Sequence, residues 1–200
     1  TYLGGSFSAS TGSSKIGGGA GLRTARHLGS FLSDIQNHGF YSAINNIAGG
    51  DSINDANQAV NVIIERCADR AGTLDECAAK AAISDLLKDI GIESDNLRGI
   101  EKEFNSAIEQ YGIKEILIKY FGNYLYQHLC NDFYEKLIKE KGIRETDNFY
   151  KDLKEFIIER TKSISNNMDL RNVNWKSDAG KSLVQGILNE TLKAFESYED

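Results

Sequence analysis

The side chains best suited to chemistry in this 200-residue chain are few, and their spacing works against catalysis. His128, Cys130 and Asp132 stand close together in Tyr126-Gln127-His128-Leu129-Cys130-Asn131-Asp132. A nucleophilic thiol needs its base within hydrogen-bond reach. On a helix, positions i and i+2 point in different directions. The run reads better as core or interface packing, with an enzyme site dispersed over Cys130 and His128 as the alternative. Asp178-Ala179-Gly180-Lys181-Ser182 ends like a phosphate loop. That motif needs a glycine where this chain has Trp175, and no strand precedes it. A helix start capped by Ser177 or Asp178 fits it better.

Gly17-Gly18-Gly19-Ala20-Gly21 leads into a helix as a dinucleotide loop does. It lacks the Gly-x-Gly-x-x-Gly spacing, the preceding strand and the downstream acid. A flexible tether is the better reading. His27, His38 and His128 are isolated, so no zinc spacing exists. No metal or cofactor is implied. Cys67, Cys77 and Cys130 form an odd set without close pairs, as reduced thiols in a cytoplasm do. All three are expected as small buried hydrophobes; Cys67 and Cys77 are spaced to face each other across a helix turn. Trp175 reads as a packing anchor for the last helix, or as an interface hot spot.

The elements that would position these residues are helices. The chain is 40% hydrophobic, 10% aromatic and 26% charged, an ordinary globular composition. Apolar residues recur at three- and four-residue intervals. Leu28, Phe31, Leu32 and Ile35 predict a helix over about 22–37, followed by Gly39. A short helix spans about 40–47, closed by Gly49-Gly50. The next is expected over about 51–71. Thr73 and Glu76 then form a capping box, each side chain taking a backbone N–H left open at a first turn. That helix runs to about Ile90 and stops at Gly91. A long stretch from Ile100 to Gly142 carries a broad apolar and aromatic face, divided by Gly112. Further helices are expected from Thr146 and over 178–198. No alternating strand and no proline is present. The expected fold is all-α: a single bundle-like domain of six to eight helices over residues 22–200, with a flexible Gly/Ser-rich arm over residues 1–21.

Charge divides the same way. Residues 1–33 carry Lys15, Arg23 and Arg26 and no acid, so with a net charge of −6 the rest of the chain carries −9. An acidic body disfavours nucleic acid, whose phosphates demand a basic surface. No apolar run approaches the ~18–20 residues of a membrane helix. Lys15 is not followed by the apolar region of a signal peptide. Thr1 is not a start methionine, which leaves room for residues ahead of it. A Gly/Ser tract cannot bury enough surface to offset the entropy of ordering it. A rigid body with such an arm suggests a binding or substrate protein before an enzyme.

An ordered set of segments resembles the QatB family, the small helical component of the Qat anti-phage defence systems. The set comprises Gly17 through Gly29 (GGGAGLRTARHLG), Phe31-Leu32-Ser33-Asp34 with Gly39, and Gly72-Thr73-Leu74-Asp75-Glu76-Cys77-Ala78. Tyr126 to Asp132 and Trp175, ahead of a helix ending near Ala194-Phe195-Glu196, complete it. The resemblance implies a non-enzymatic protein working beside a KAP-type ATPase, a QueC-like enzyme (QatC) and a TatD-like nuclease. It implies a direct complex with QatC, in which the arm delivers an N-terminal amine to an enzyme that activates a carboxylate with ATP. The family's Met-Gly-Thr-Ser start is not in this sequence. The expected partner-contact residues are Tyr2, Leu3, Gly4, Gly5, Phe7, Gly17, Gly18 and Gly19 of the arm, with Arg23 and Arg26 as salt-bridge donors.

Overall fold

The computed structural model describes residues 19–68, 72–144, 146–148, 151–152, 154–155 and 159; between 125 and 141, side chains are described only at Tyr126, Gln127, Ile138 and Lys139. Among the described residues, helices follow in order: α1 (Gly19–His38), α2 (Phe40–Ala48), α3 (Ala56–Ala68), α4 (Leu74–Asp89) and α5 (Leu97–Lys141), and the described residues from 143 to 159 are helical too. Among the described residues there is no strand, and the fold is all-α.

α1 is the axis of the packing, touching each of the other four helices. Its predicted stripe is buried as expected: Leu28, Phe31, Leu32 and Ile35 are each at most 2% exposed. Phe31 meets the Phe104 ring edge-on at 5.7 Å, and Phe40 stacks on Phe104 at 5.6 Å. Such aromatic pairs add about 0.5–1.5 kcal/mol beyond the area they bury, and these clamp α1, α2 and α5 together. Gly39 both ends α1 and opens α2: its N–H donates to Ile35 O, and its carbonyl accepts from Ala43 N.

α3 begins at Ala56, five residues later than the apolar period suggests. The local hydrogen bonds explain the delay. Gln58 N donates to Asp55 Oδ1 at 2.8 Å, and Asn54 N donates to Gln58 Oε1 at 2.8 Å. This reciprocal pair makes Asp55 the cap. Asp51 instead leaves the chain direction to meet Arg66 at 2.9 Å. Ile53 still packs on the core, but from the loop.

The capping box of α4 is present. Glu76 N donates to Thr73 Oγ1 at 3.2 Å, and Thr73 N donates to Glu76 Oε2 at 2.9 Å. Two further bonds tie α4 to α5, from Asn123 Nδ2 to Asp89 and from Gln127 Nε2 to Asp85, at 2.8 and 2.7 Å. Cys67 is buried, as expected, but Cys77 is exposed and both are free thiols. Cys77 falls one residue ahead of the buried stripe that starts with Ala78 and Ala79. The helix expected from Thr146 is present but opens earlier: the Thr146 N–H and hydroxyl both return to Gly142 O, at 3.2 and 2.8 Å. The helical turn there already includes Ile143 and Arg144. The expectations for Trp175 and for a helix over 178–198 lie outside the described residues.

The division of the long stretch at Gly112 is present too. Its φ of 69° and ψ of 158° interrupt α5. That region of backbone space is essentially closed to residues with a Cβ. Nothing crowds the position, so the constraint is conformational and not steric with neighbours. Gly112→Ala should therefore lower stability by about 1–3 kcal/mol, read from urea unfolding. An unchanged midpoint would mean that the two halves of α5 are not set by this residue.

Candidate functional site

Where residues 1–18 meet the helical body, hydrogen bonds from three helices converge. α1 already includes Gly19, Ala20 and Gly21, ahead of the expected start at Leu22, and this turn is held by side chains from α4 and α5. Ala20 N donates to Asp75 Oδ2 at 3.1 Å. The Tyr124 hydroxyl donates to the other oxygen of the same carboxylate, Asp75 Oδ1. Tyr120 donates its hydroxyl to Gly21 O at 3.3 Å. A helix start leaves four backbone N–H groups without intrahelical partners. Here a carboxylate from a distant helix takes one of them.

Asp75 itself lies in the first turn of α4, where negative charge is favourable to the helix dipole. Its carboxylate therefore serves the first turns of α1 and α4 at once. Close approach of the Tyr124 ring requires a residue without a Cβ at position 21. A Cβ built on Gly21 would lie 2.4 Å from Tyr124 Cζ. The expected arm residues Gly19, Ala20 and Gly21 are thus helix, and the last two are buried.

The electrostatics are those of an anchor. Burial, the Asp75 bond and the Asp75 charge all push the Tyr124 phenol well above its ordinary range. Burial does the same to Tyr120, with Tyr124 adding to it. Both phenols stay neutral and act as donors, which suits them to holding and not to proton transfer. Glu76 moves the other way. The Gly72 N–H, then the Thr73 side chain and N–H, then the Arg23 charge hold its carboxyl below the usual range.

Of the two expected salt-bridge donors, Arg23 reaches Glu76 at 3.6 Å within the body. Arg26 lines a separate cleft of about 410 Å³ with His27, Ser30, Asp34, Ile47 and Arg66 among its walls. The two arginines do not converge on one site. In the cleft, His27 Nδ1 donates to the Cys67 carbonyl at 3.2 Å. The imidazole therefore bonds the Cys67 backbone and does not serve as base to its thiol. Among the described residues no group of three His, Cys, Asp or Glu is arranged to hold a metal ion, and no helix is long and apolar enough to cross a membrane. Tyr2, Leu3, Gly4, Gly5, Phe7, Gly17 and Gly18, and the side chains of His128 and Cys130, lie outside the described residues.

Reading the sequence finds Thr73 and Glu76 by their capping spacing but does not single out Asp75 as a link between helices. Tyr120 and Tyr124 fall within the broad apolar and aromatic face of the long stretch, and their polar role is missed. The one usable signal is that both carry a hydroxyl at positions the helical period buries.

The model of the family described as Qat anti-phage system associated protein QatB matches residues 4–195, nearly the whole chain. No curated protein and no solved structure matches it.

Two outcomes follow from the anchor. Gly21→Ala forces a Cβ into a buried ring and should cost about 1–3 kcal/mol, measured by urea unfolding; a neutral effect would show that the Tyr124 ring is free to move. Glu76→Gln keeps the capping bonds but removes the charge. Because the folded-state value of Glu76 is depressed, its contribution is full above its ordinary value near 4.5 and is lost as pH falls through the lower folded value. The variant should therefore lose less stability than the parent as pH falls below about 4.5. An identical acid limb in the two proteins would contradict the assignment.

Proposed function

We propose the following reading from the premise that the chain belongs to the QatB family and is a component of the Qat anti-phage system. It acts without catalytic chemistry of its own. Its helical body docks on the QueC-like enzyme of the system, QatC, and the Gly/Ser-rich segment ahead of α1 presents the protein's N-terminal amine to that enzyme. The ATPase and TatD-like nuclease of the same system are more distant partners.

The observation that carries this reading is the anchored root. The segment enters a first turn whose Ala20 N–H is taken by Asp75 and whose carbonyl at Gly21 accepts from Tyr120. A substrate segment benefits from a fixed point of departure, because orientation removes part of the entropy of bringing amine and acyl group together. The small residues Gly17 and Gly18 let such a segment enter a narrow pocket without side-chain bulk. The match to the family from residue 4 onward includes this segment. The proposed chemistry is amide formation. ATP converts the carboxylate substrate of that enzyme to an acyl adenylate and releases pyrophosphate. The amine attacks the acyl carbon, the bond to AMP breaks, and the amine proton passes to base. The acidic body argues against nucleic acid as the docking partner.

Intact-mass spectrometry of the natural full-length protein co-expressed with QatC should reveal an adduct confined to the N-terminal peptide. The chain lacking residues 1–18 keeps the whole of α1 and should still be captured by QatC without gaining the adduct. An unmodified terminus in cells with full protection from phage would end this reading.

A further inference from the structure

We propose that the cleft between α1, α2 and α3 binds a small organic molecule with an oxyanion at one end and a hydrogen-bond donor at the other, of the nucleoside monophosphate class. This site is separate from the anchor at Asp75 and does not depend on the docking reading above.

The cleft holds about 410 Å³, within the range of roughly 300–1,000 Å³ that small-molecule sites occupy. A bare phosphate would leave most of it unfilled, so the ligand needs an organic body. Two guanidinium groups, Arg26 from α1 and Arg66 from α3, stand in its walls against one carboxylate, Asp34. Guanidinium forks bind carboxylates and phosphates through charge-assisted hydrogen bonds. The fold sets Arg66 in place. Its Nη2 donates to the Ala48 carbonyl at the end of α2, at 3.2 Å, and to Asp51 Oδ2 at 2.9 Å. Both bonds use one nitrogen, so Nη1 and Nε keep donors for a ligand. His27 is turned by its bond to the Cys67 carbonyl, which brings the end of α3, Arg66 included, beside the Arg26 end of the α1 face.

Arg26, Ser30 and Asp34 follow one another at four-residue intervals and so line one face of α1. Position 34 lies about 12 Å along the axis from position 26. The cleft is therefore polarised, with cationic donors and the Ser30 hydroxyl toward one end and a carboxylate acceptor toward the other. His38 Nδ1 stands 4.0 Å from Asp34 Oδ1, which leaves the carboxylate room for a further donor. Half-buried Ile47 gives the body of a ligand an apolar wall. With Asp51 beside Arg66 and Asp34 in the wall, the local excess of positive charge is small. It suits one oxyanion and not a polyphosphate chain. AMP has the matching groups, a phosphate and an exocyclic amine on a flat ring.

Isothermal titration of the full chain with AMP, adenosine and inorganic phosphate tests the site. AMP should bind, and adenosine, which lacks the oxyanion, should not. Arg66→Gln and Arg26→Gln should each weaken AMP by about tenfold or more. Arg66→Gln also cuts the bonds to Ala48 and Asp51, so Arg26→Gln, which leaves them intact, decides the matter if the first variant unfolds early. Arg98→Gln removes an equal charge from an exposed position on α5 and should bind AMP as the parent does. Asp34→Ala should weaken AMP by about threefold without weakening phosphate. No binding of AMP overturns the proposal, whether or not phosphate binds. Adenosine binding as well as AMP, or an equal loss in Arg98→Gln, overturns the assignment of the arginines to an oxyanion. AMP binding unchanged in Asp34→Ala overturns the donor end. None of these results alters the capture by QatC, so the two readings fail separately.

Discussion

One carboxylate keys three helices together. Asp75 sits in the first turn of α4, accepts Ala20 N from α1 through one oxygen and the Tyr124 hydroxyl from α5 through the other. It is a hydrogen-bonded charge in a partly buried place, where donors are worth more than in water and an unpaired group costs more. Remove any of its three attachments and the others lose their reason. Without Gly21 the Tyr124 ring could not approach. Without the ring, the carboxylate would lack its second donor.

Magnitudes separate what holds this junction from what aims it. Each hydrogen bond contributes on the order of 1 kcal/mol net. Burying an aromatic side chain contributes roughly 1.5–3 kcal/mol, and Tyr120 and Tyr124 stack at 6.2 Å between centroids. Apolar burial therefore supplies most of the attraction between α5 and α1. It is non-directional, however, and would tolerate a shift along the helix. The hydroxyls do not: they meet particular backbone atoms of Gly21 and a particular carboxylate. Stability comes from the rings, and register comes from their polar ends.

Local features of the fold were legible in the sequence, and long-range ones were not. The stripe of α1, the capping box at Thr73 and Glu76 and the interruption at Gly112 all depend on residues within a turn of one another. Period and capping spacing capture such relations. The helical turn at Gly19–Gly21 depends on Asp75, 55 positions from Ala20, and the Tyr120 bond to Gly21 spans 99 positions. A glycine tract read alone looks like tether up to its last glycine, because nothing local favours helix there. The exposure of Cys77 was missed for a related reason. Free cysteine is usually buried, but here the neighbouring Ala78 and Ala79 occupy the inward positions.

The junction also explains why glycine recurs on both sides of Gly19 for different reasons. Ahead of it, Gly17 and Gly18 belong to a Gly/Ser-rich tract whose composition resists ordering. Behind it, Gly21 is used for close packing, where any side chain would strike the Tyr124 ring. Between the two, Asp75 takes the backbone N–H of Ala20. A helix started by its own sequence could fray and move its boundary by a turn. A turn held by a carboxylate from α4 is positioned by tertiary structure, and so keeps its place as long as the bundle is folded.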